Sequence, residues 1–240
     1  MNDTLMYLLK SVVLSGIFYG YYSLFLKNTI YHAYNRFYLL AAMALSLVIP
    51  FFKLSMFTIS EEQASGAKQV LIYLNQLPSA PVQQENVAWE MMVIASISVL
   101  LVCYLGYSVI RIFRLKAKNV QKQMGDFTFI ETDLEDAPFS FFSNLFWKKS
   151  LSMDDETGRK IFQHELAHIQ QWHSLDRLIS QLICSIFWMN PFNWIIQKEL
   201  QNIHEFIADK KSVEHGDTAS LAQMLLTTAY PGQQFPLTNP

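Results

Sequence analysis

Residues 91–110 carry no charge between Glu90 and Arg111. A run of that length spans the hydrocarbon core of a bilayer as one helix. Inside a bilayer every backbone N–H and C=O must be satisfied within the segment, which leaves a lone segment no alternative to a helix. Two earlier runs share this character. Residues 5–26 are apolar apart from Lys10, Ser11, Ser15 and Ser23. Lys10 is close enough to the start to snorkel to the headgroups. A basic start and a small-residue cleavage site are both missing, so this run reads as a retained helix and not as a signal peptide. A further run follows the polar turn 27–36, and Pro50 marks a kink or an end in it. The spacing predicts membrane helices over about 5–26, 36–57 and 89–112.

Composition agrees. Of 240 residues, 51% are hydrophobic and 16% charged, and the formal net charge is −2. That is too apolar for an ordinary soluble domain of this size, and it offers no basic surface for direct nucleic-acid binding. The two cysteines, Cys103 and Cys184, lie in apolar runs without metal-type spacing and read as buried small hydrophobes, not as a disulfide. Residues 60–87 are polar and acidic, with one short helix expected near 70–77. Ser65 and Lys68 match a Ser-x-x-Lys pattern by chance, since its usual partner motifs are missing. Arg111, Arg114, Lys116, Lys118 and Lys122 form a dense basic flank after the third run. The positive-inside rule places this flank in the cytoplasm, with the 27–36 turn beside it and the 60–87 loop outside.

The chemistry is concentrated in Gln163-His164-Glu165-Leu166-Ala167-His168. His164 and His168 fall on one helix face, one turn apart, so their imidazoles can grip one Zn²⁺. Glu165 is rotated by about 100° from His164. It therefore stands beside the metal, where a general base for an attacking water belongs. The bland alternative is a surface helix with two stray histidines. The pattern arises by chance in roughly one chain of this length in a hundred, so the metal site is favoured.

Two histidines need a third ligand and an open position. The x-x-Gly-x-x-His continuation of one zincin class fails, because Gln171 and Ser174 fill its slots. On a helix continuing towards Asp176, His173 sits about 180° from His164 and faces away. The better candidates are Glu205 and Asp209, again four apart. Glu205 serves as a metal ligand, and Asp209 accepts a hydrogen bond from a ligand imidazole. Solvated acids on an amphipathic helix are the alternative.

Between the membrane runs and this motif the chain becomes mixed. Residues 127–132 read as a strand, residues 137–142 as an aromatic loop, and residues 144–147 as a second short strand. An edge strand there would hold an extended peptide by main-chain bonds; a strand simply packed on the core is equally open. Residues 152–156 cap and charge the start of the metal helix. Residues 178–196 are apolar enough to tempt a fourth span. A single crossing would carry Glu205 to the opposite side from His164 and His168, whereas ligands of one metal lie within about 2 Å of it. The stretch is therefore expected to return, as two helices hinged near Asn190, with Pro191 starting the second. The helix carrying Glu205 is expected to run to about Glu214 and to stop at His215-Gly216, with another short helix over 220–230. The closing residues resemble a loop, which points to a trimmed C-terminus.

Together these features resemble the BlaR/MecR antirepressor family of membrane zinc peptidases. The resemblance rests on three N-terminal membrane helices, Pro138–Phe142 (Pro-Phe-Ser-Phe-Phe), His164–His168, Phe187–Pro191 (Phe-Trp-x-Asn-Pro) and Glu205–Asp209, and it covers essentially the whole chain. It implies a mainly α membrane protein: a transmembrane region over 1–117, then a zincin-type α+β metallopeptidase domain over 118–240 with a small β-sheet. It implies Zn²⁺ on His164, His168 and Glu205, Glu165 as catalytic base, and Asp209 orienting an imidazole. It further implies residence in a bacterial inner membrane, with the peptidase domain facing the cytoplasm and cutting itself or a transcriptional repressor. The chain departs from antibiotic-sensing members in having no fourth span after the peptidase domain and no outer sensor domain, so a β-lactam ligand is not expected. A quality-control membrane protease, and a non-catalytic transducer with structural zinc, are the rival readings. Intramembrane cleavage is less suited, because Asp154, Asp155, Glu156, Arg159 and Lys160 precede the motif. His173, His204 and Tyr230 are weak candidates for a second oxyanion donor.

Overall fold

A computed structural model describes residues 3–52, 88–153 and 155–213. The expected outer loop 60–87 with its short helix, the Ser65/Lys68 pattern, the helix over 220–230 and Tyr230 lie outside the described residues.

Helix α1 (Asp3–Tyr21) continues through a π-helical turn (Tyr22–Leu26), and α2 (His32–Val48) ends in a 3-10 turn (Ile49–Phe51) around Pro50. Helix α3 spans Ala88–Lys118. These are three helices long and apolar enough to cross a membrane: Met6–Leu26, His32–Phe51 and Met91–Lys118. Three boundaries differ from expectation. The second helix closes at Phe51, with Phe52 extended, short of the expected 57, because Pro50 ends it. Helix α2 starts at His32, so Arg36 belongs to the helix and not to the polar turn, and it is buried. Helix α3 runs six residues past 112, through the basic flank, because nothing between Arg111 and Lys118 breaks a helix. No residue in the apolar window of α3 is fully buried by protein. Cys103 on that helix is accordingly exposed, against expectation, whereas Cys184 is buried; both thiols are free.

A four-stranded sheet follows, β1 (Gln121–Met124), β2 (Phe127–Thr132), β3 (Phe139–Phe141) and β4 (Asn144–Lys148), in the order β1-β2-β4-β3. Strands β2 and β4 pair in parallel and both flanking pairs are antiparallel. The stretch read as an aromatic loop thus contains an edge strand. Its rings explain this: Phe139 stacks on Phe146 at 4.6 Å between centroids, and Phe141 meets Phe113 of α3 at 6.0 Å.

Helices α4 (Glu156–Gln170), α5 (His173–Ile186) and α6 (Pro191–Ser212) complete the described chain. Asp155 caps α4 by accepting from the Gly158 N–H at 3.0 Å. Gly158 is required at that turn, since a Cβ there would lie 1.9 Å from the Ser152 carbonyl oxygen. Asn190 caps α6 through its side chain, which accepts from the Phe192 N–H at 3.1 Å, and Pro191 opens the helix. Helix α6 ends at Ser212, close to the expected stop.

The predicted break at Asn190 turns α5 and α6 into a hairpin that packs along the first two helices. Its corner lies beside the middle of α1. There Asn190 donates to Ser15 at 2.9 Å, and Phe192 stands 3.0 Å from where a Cβ on Gly16 would be. Its open end lies beside the α1–α2 turn, where Lys27 pairs with Glu199 at 2.6 Å and His32 stacks on Phe206 at 5.2 Å. Tyr22, Leu39, Met43, Cys184, Ile196, Leu200 and Ile203 form one apolar core shared by these four helices. The hairpin therefore leaves and returns at the same end of the bundle, as the ligand argument requires.

Candidate metal centre

Helix α4 carries His164, Glu165 and His168, and the neighbouring α6 carries Glu205 and Asp209. The ligand atoms of His164, His168 and Glu205 all lie within 4.8 Å of one another. The His164 Nε2 is 3.2 Å from the His168 Nε2 and 3.3 Å from the Glu205 Oε2, and the His168 Nε2 is 3.8 Å from that same oxygen. Donors at about 2.0–2.1 Å from a tetrahedral Zn²⁺ stand roughly 3.3–3.4 Å apart. The cluster is already near that spacing, and its donor set of two imidazoles and a carboxylate suits zinc.

Both rings are held from behind. The His164 Nδ1 is 2.9 Å from the Asp209 Oδ1, which leaves Nε2 to face the cluster. This is the role expected of Asp209, one turn beyond Glu205 on the same helix. Burial alone would lower the pKa of His164, but the Asp209 and Glu205 carboxylates outweigh it and raise it to about 10. Hydrogen bonds from His164 and then His168 hold Glu205 well below the usual carboxylate range, against burial. In a metal-free cluster, a proton on His164 thus occupies the place a cation would take.

His168 is backed by a residue that the spacing argument sets aside. Helix α4 does not continue towards Asp176: it ends at Gln170, and Trp172 adopts φ 57°, ψ 31° before α5 begins at His173. That left-handed residue reverses the facing expected of His173, whose Nδ1 comes to 2.8 Å from the His168 Nδ1. The His173 ring stacks on His204 at 4.1 Å between centroids. His204, fully buried, donates through Nε2 to the Asp176 Oδ2 at 2.9 Å. Asp176 also accepts from the Arg36 Nε, and Arg36 reaches the Gln171 carbonyl through Nη2 at 2.7 Å. Burial first, then the neighbouring His204 and the Arg36 guanidinium, depresses His173 to about 2, and burial outweighs Asp176 in lowering His204. Burial thus favours the neutral form of both rings. Asp176 is held below its ordinary value because His204 and Arg36 outweigh burial.

A cavity of about 210 Å³ opens on the cluster. Glu165 lines it together with the three ligand residues, as do Phe139, Ser140 and Phe141 of β3 and Arg177 of α5. Because β3 ends the sheet, one of its edges has no strand partner among the described residues. All five expected site residues thus converge, and β3 joins them. His173, His204, Asp176 and Arg36 are the residues that local sequence reasoning missed or left as weak candidates. His173 and His204 carried the only signal, as histidines near the two motifs; the Gln170-Gln171-Trp172 break has no Gly or Pro to announce it.

In comparisons with known proteins, no family model and no curated protein matches the chain.

Proposed function

We propose that the chain is a membrane-embedded zinc metalloendopeptidase of the BlaR/MecR type, hydrolysing a peptide bond in itself or in a transcriptional repressor during signalling across a bacterial inner membrane. The observation that carries this reading is the spacing of the His164, His168 and Glu205 ligand atoms, with each histidine's second nitrogen engaged from behind. Bound there, Zn²⁺ supplies a Lewis acid that acidifies water and polarises a scissile carbonyl. Glu165, on the same cavity wall, takes the proton of the attacking water and hands it to the leaving amine. The free edge of β3 holds an extended substrate by main-chain hydrogen bonds, and Phe139 and Phe141 cover it from water. Asp209 and His173 keep the ligand rings turned inwards.

A purely structural zinc would need a fourth protein ligand. The two histidines closest to the cluster are engaged elsewhere, His173 behind His168 and His204 on Asp176, which favours catalysis. Metal content of the detergent-purified chain tests the reading. One zinc per wild-type chain, kept in Glu165→Ala and lost in Glu205→Ala, is expected. Zinc kept in Glu205→Ala would overturn the ligand set. Cleavage of one repressor, as against many unfolded membrane proteins, separates signalling from quality control.

A further inference from the structure

Asp209 stands behind His164 as the sequence predicts, but no carboxylate stands behind His168. A histidine does, and behind that histidine a chain of side chains leads into α2. We infer that His173 is the positioning residue for His168, and that Arg36 of α2, acting on Gln171, Asp176 and His204, holds His173 in place. The attitude of a membrane-spanning helix is thereby transmitted to a metal-ligating ring. This inference rests on the metal reading given above.

Metal ligation sets the direction. For the His168 Nε2 to offer a lone pair to a metal, its proton must sit on Nδ1. That N–H then donates to the His173 Nδ1, 2.8 Å away, which makes His173 the acceptor and leaves its own proton on Nε2, a buried atom with no hydrogen-bond partner among the described residues. An acceptor behind a ligand imidazole sets both tautomer and ring angle. His173 sits on the corner between α4 and α5, and Arg36 grips that corner on both sides. It donates to the Gln171 carbonyl two residues before His173 and to the Asp176 carboxylate three residues after it. Asp176 in turn accepts from His204, whose ring lies flat against His173, with 16° between the planes. One guanidinium therefore holds the backbone that aims His173 and the ring that packs its face.

The location of Arg36 gives the chain its meaning. It lies one turn inside α2, in the His32–Phe51 span, and only 7% of it is exposed. An arginine buried at the edge of a span is costly to desolvate and is kept where it does something. A tie that served only to hold the hairpin could be made at the surface, as the Lys27–Glu199 pair does between the α1–α2 turn and α6. Arg36 instead reaches the two groups that bracket the ring behind the ligand.

The test measures metal affinity of the full chain in lipid nanodiscs by chelator competition, and ligand geometry from the visible spectrum of the Co²⁺-loaded protein. His173→Ala and Arg36→Gln are each expected to weaken zinc binding by about 10–100-fold, the usual effect of removing a partner behind a ligand, and to shift the Co²⁺ bands. His173→Asn, whose carbonyl oxygen falls near the lost Nδ1, is expected to recover most of the affinity. Lys27→Ala is expected to leave it unchanged. Should Arg36→Gln fail to fold, His204→Phe keeps the stacked ring but cannot donate to Asp176, and is expected to weaken zinc in the same direction. Wild-type zinc binding with unchanged affinity in folded Arg36→Gln or in His204→Phe overturns the link to α2. Unchanged affinity in His173→Ala overturns the positioning of His168. A wild-type chain that binds no zinc overturns the metal reading itself, a result distinct from both.

Discussion

Arg36 of α2 and Asp176 of α5, 140 residues apart in sequence, form an ion pair whose side chains are each only 8% exposed. Taking one partner from a buried pair leaves an unpaired charge and costs about 3–5 kcal/mol, whereas replacing both by apolar groups of similar size is often close to neutral. Thermal unfolding in detergent is expected to show a larger loss for Arg36→Met than for Arg36→Met/Asp176→Leu. A double variant as unstable as the single one would show that the pair is not the source of the loss.

The buried histidines set a pH optimum for the metal-free protein. His173 and His204 have folded values below the unfolded value near 6.5, because burial disfavours their cations. Below pH 6.5 the unfolded chain binds protons that these rings refuse, so stability falls as pH falls, by up to about 1.4 kcal/mol per pH unit for His173, with His204 adding in the same direction. His164 acts in the opposite sense. Its folded value is raised to about 10, so its contribution is complete below 6.5 and is lost as pH rises through 10. Melting with chelator present is expected to be most favourable near pH 6.5 and to fall on both sides. His204→Phe flattens the acid limb, and excess zinc, which replaces the proton on His164, removes the alkaline one. An alkaline limb unaffected by zinc would exclude His164 as its cause.

Much of this arrangement is local and therefore legible in the sequence. Apolar run length gives three helices, and the spacing of His164, His168, Glu205 and Asp209 gives two helix faces that must meet. Asn190-Pro191 announces its own break, and the requirement that Glu205 return to His164 turns an apparent span into a hairpin. The unread part is non-local. Arg36 in a polar stretch looks like a charge in a turn until Asp176 is packed against it. His173 is aimed at the cluster by Trp172 in a left-handed conformation, which a bulky side chain adopts only when its surroundings dictate it. The aromatic stretch 139–141 becomes an edge strand because Phe146 and Phe113 receive its rings, a fact that alternation over three residues cannot convey.

Asp209 and Glu165 are expected to separate cleanly in function. Asp209 touches the outer nitrogen of His164, so Asp209→Ala is expected to weaken zinc binding by about 10–100-fold. Glu165 lines the cavity without belonging to the ligand cluster. Glu165→Gln is therefore expected to keep zinc at wild-type affinity and to lose about 10²–10⁴-fold in peptide hydrolysis, the usual contribution of a positioned base. Paired measurement of zinc affinity and turnover checks both. Loss of zinc in Glu165→Gln would place that carboxylate among the ligands.

The end of the bundle that holds the cluster also carries the cations flanking the helices: Lys27 after α1, and Arg111, Arg114, Lys116 and Lys118 in the last turns of α3. On the function proposed above, the positive-inside rule turns this end to the cytoplasm, where a repressor would be reached. Single-cysteine labelling with a membrane-impermeant reagent checks the orientation. Cys103 is exposed on α3 and Cys184 is buried, so Cys103→Ala is the replacement needed for a quiet background. Ser79→Cys, in the acidic stretch 60–87, is expected to label in intact cells, and Asn119→Cys, just past α3, only after lysis. Labelling of Asn119→Cys from outside would invert the protein, put the cluster on the outer face, and exclude a cytoplasmic repressor as substrate while leaving the metal chemistry intact.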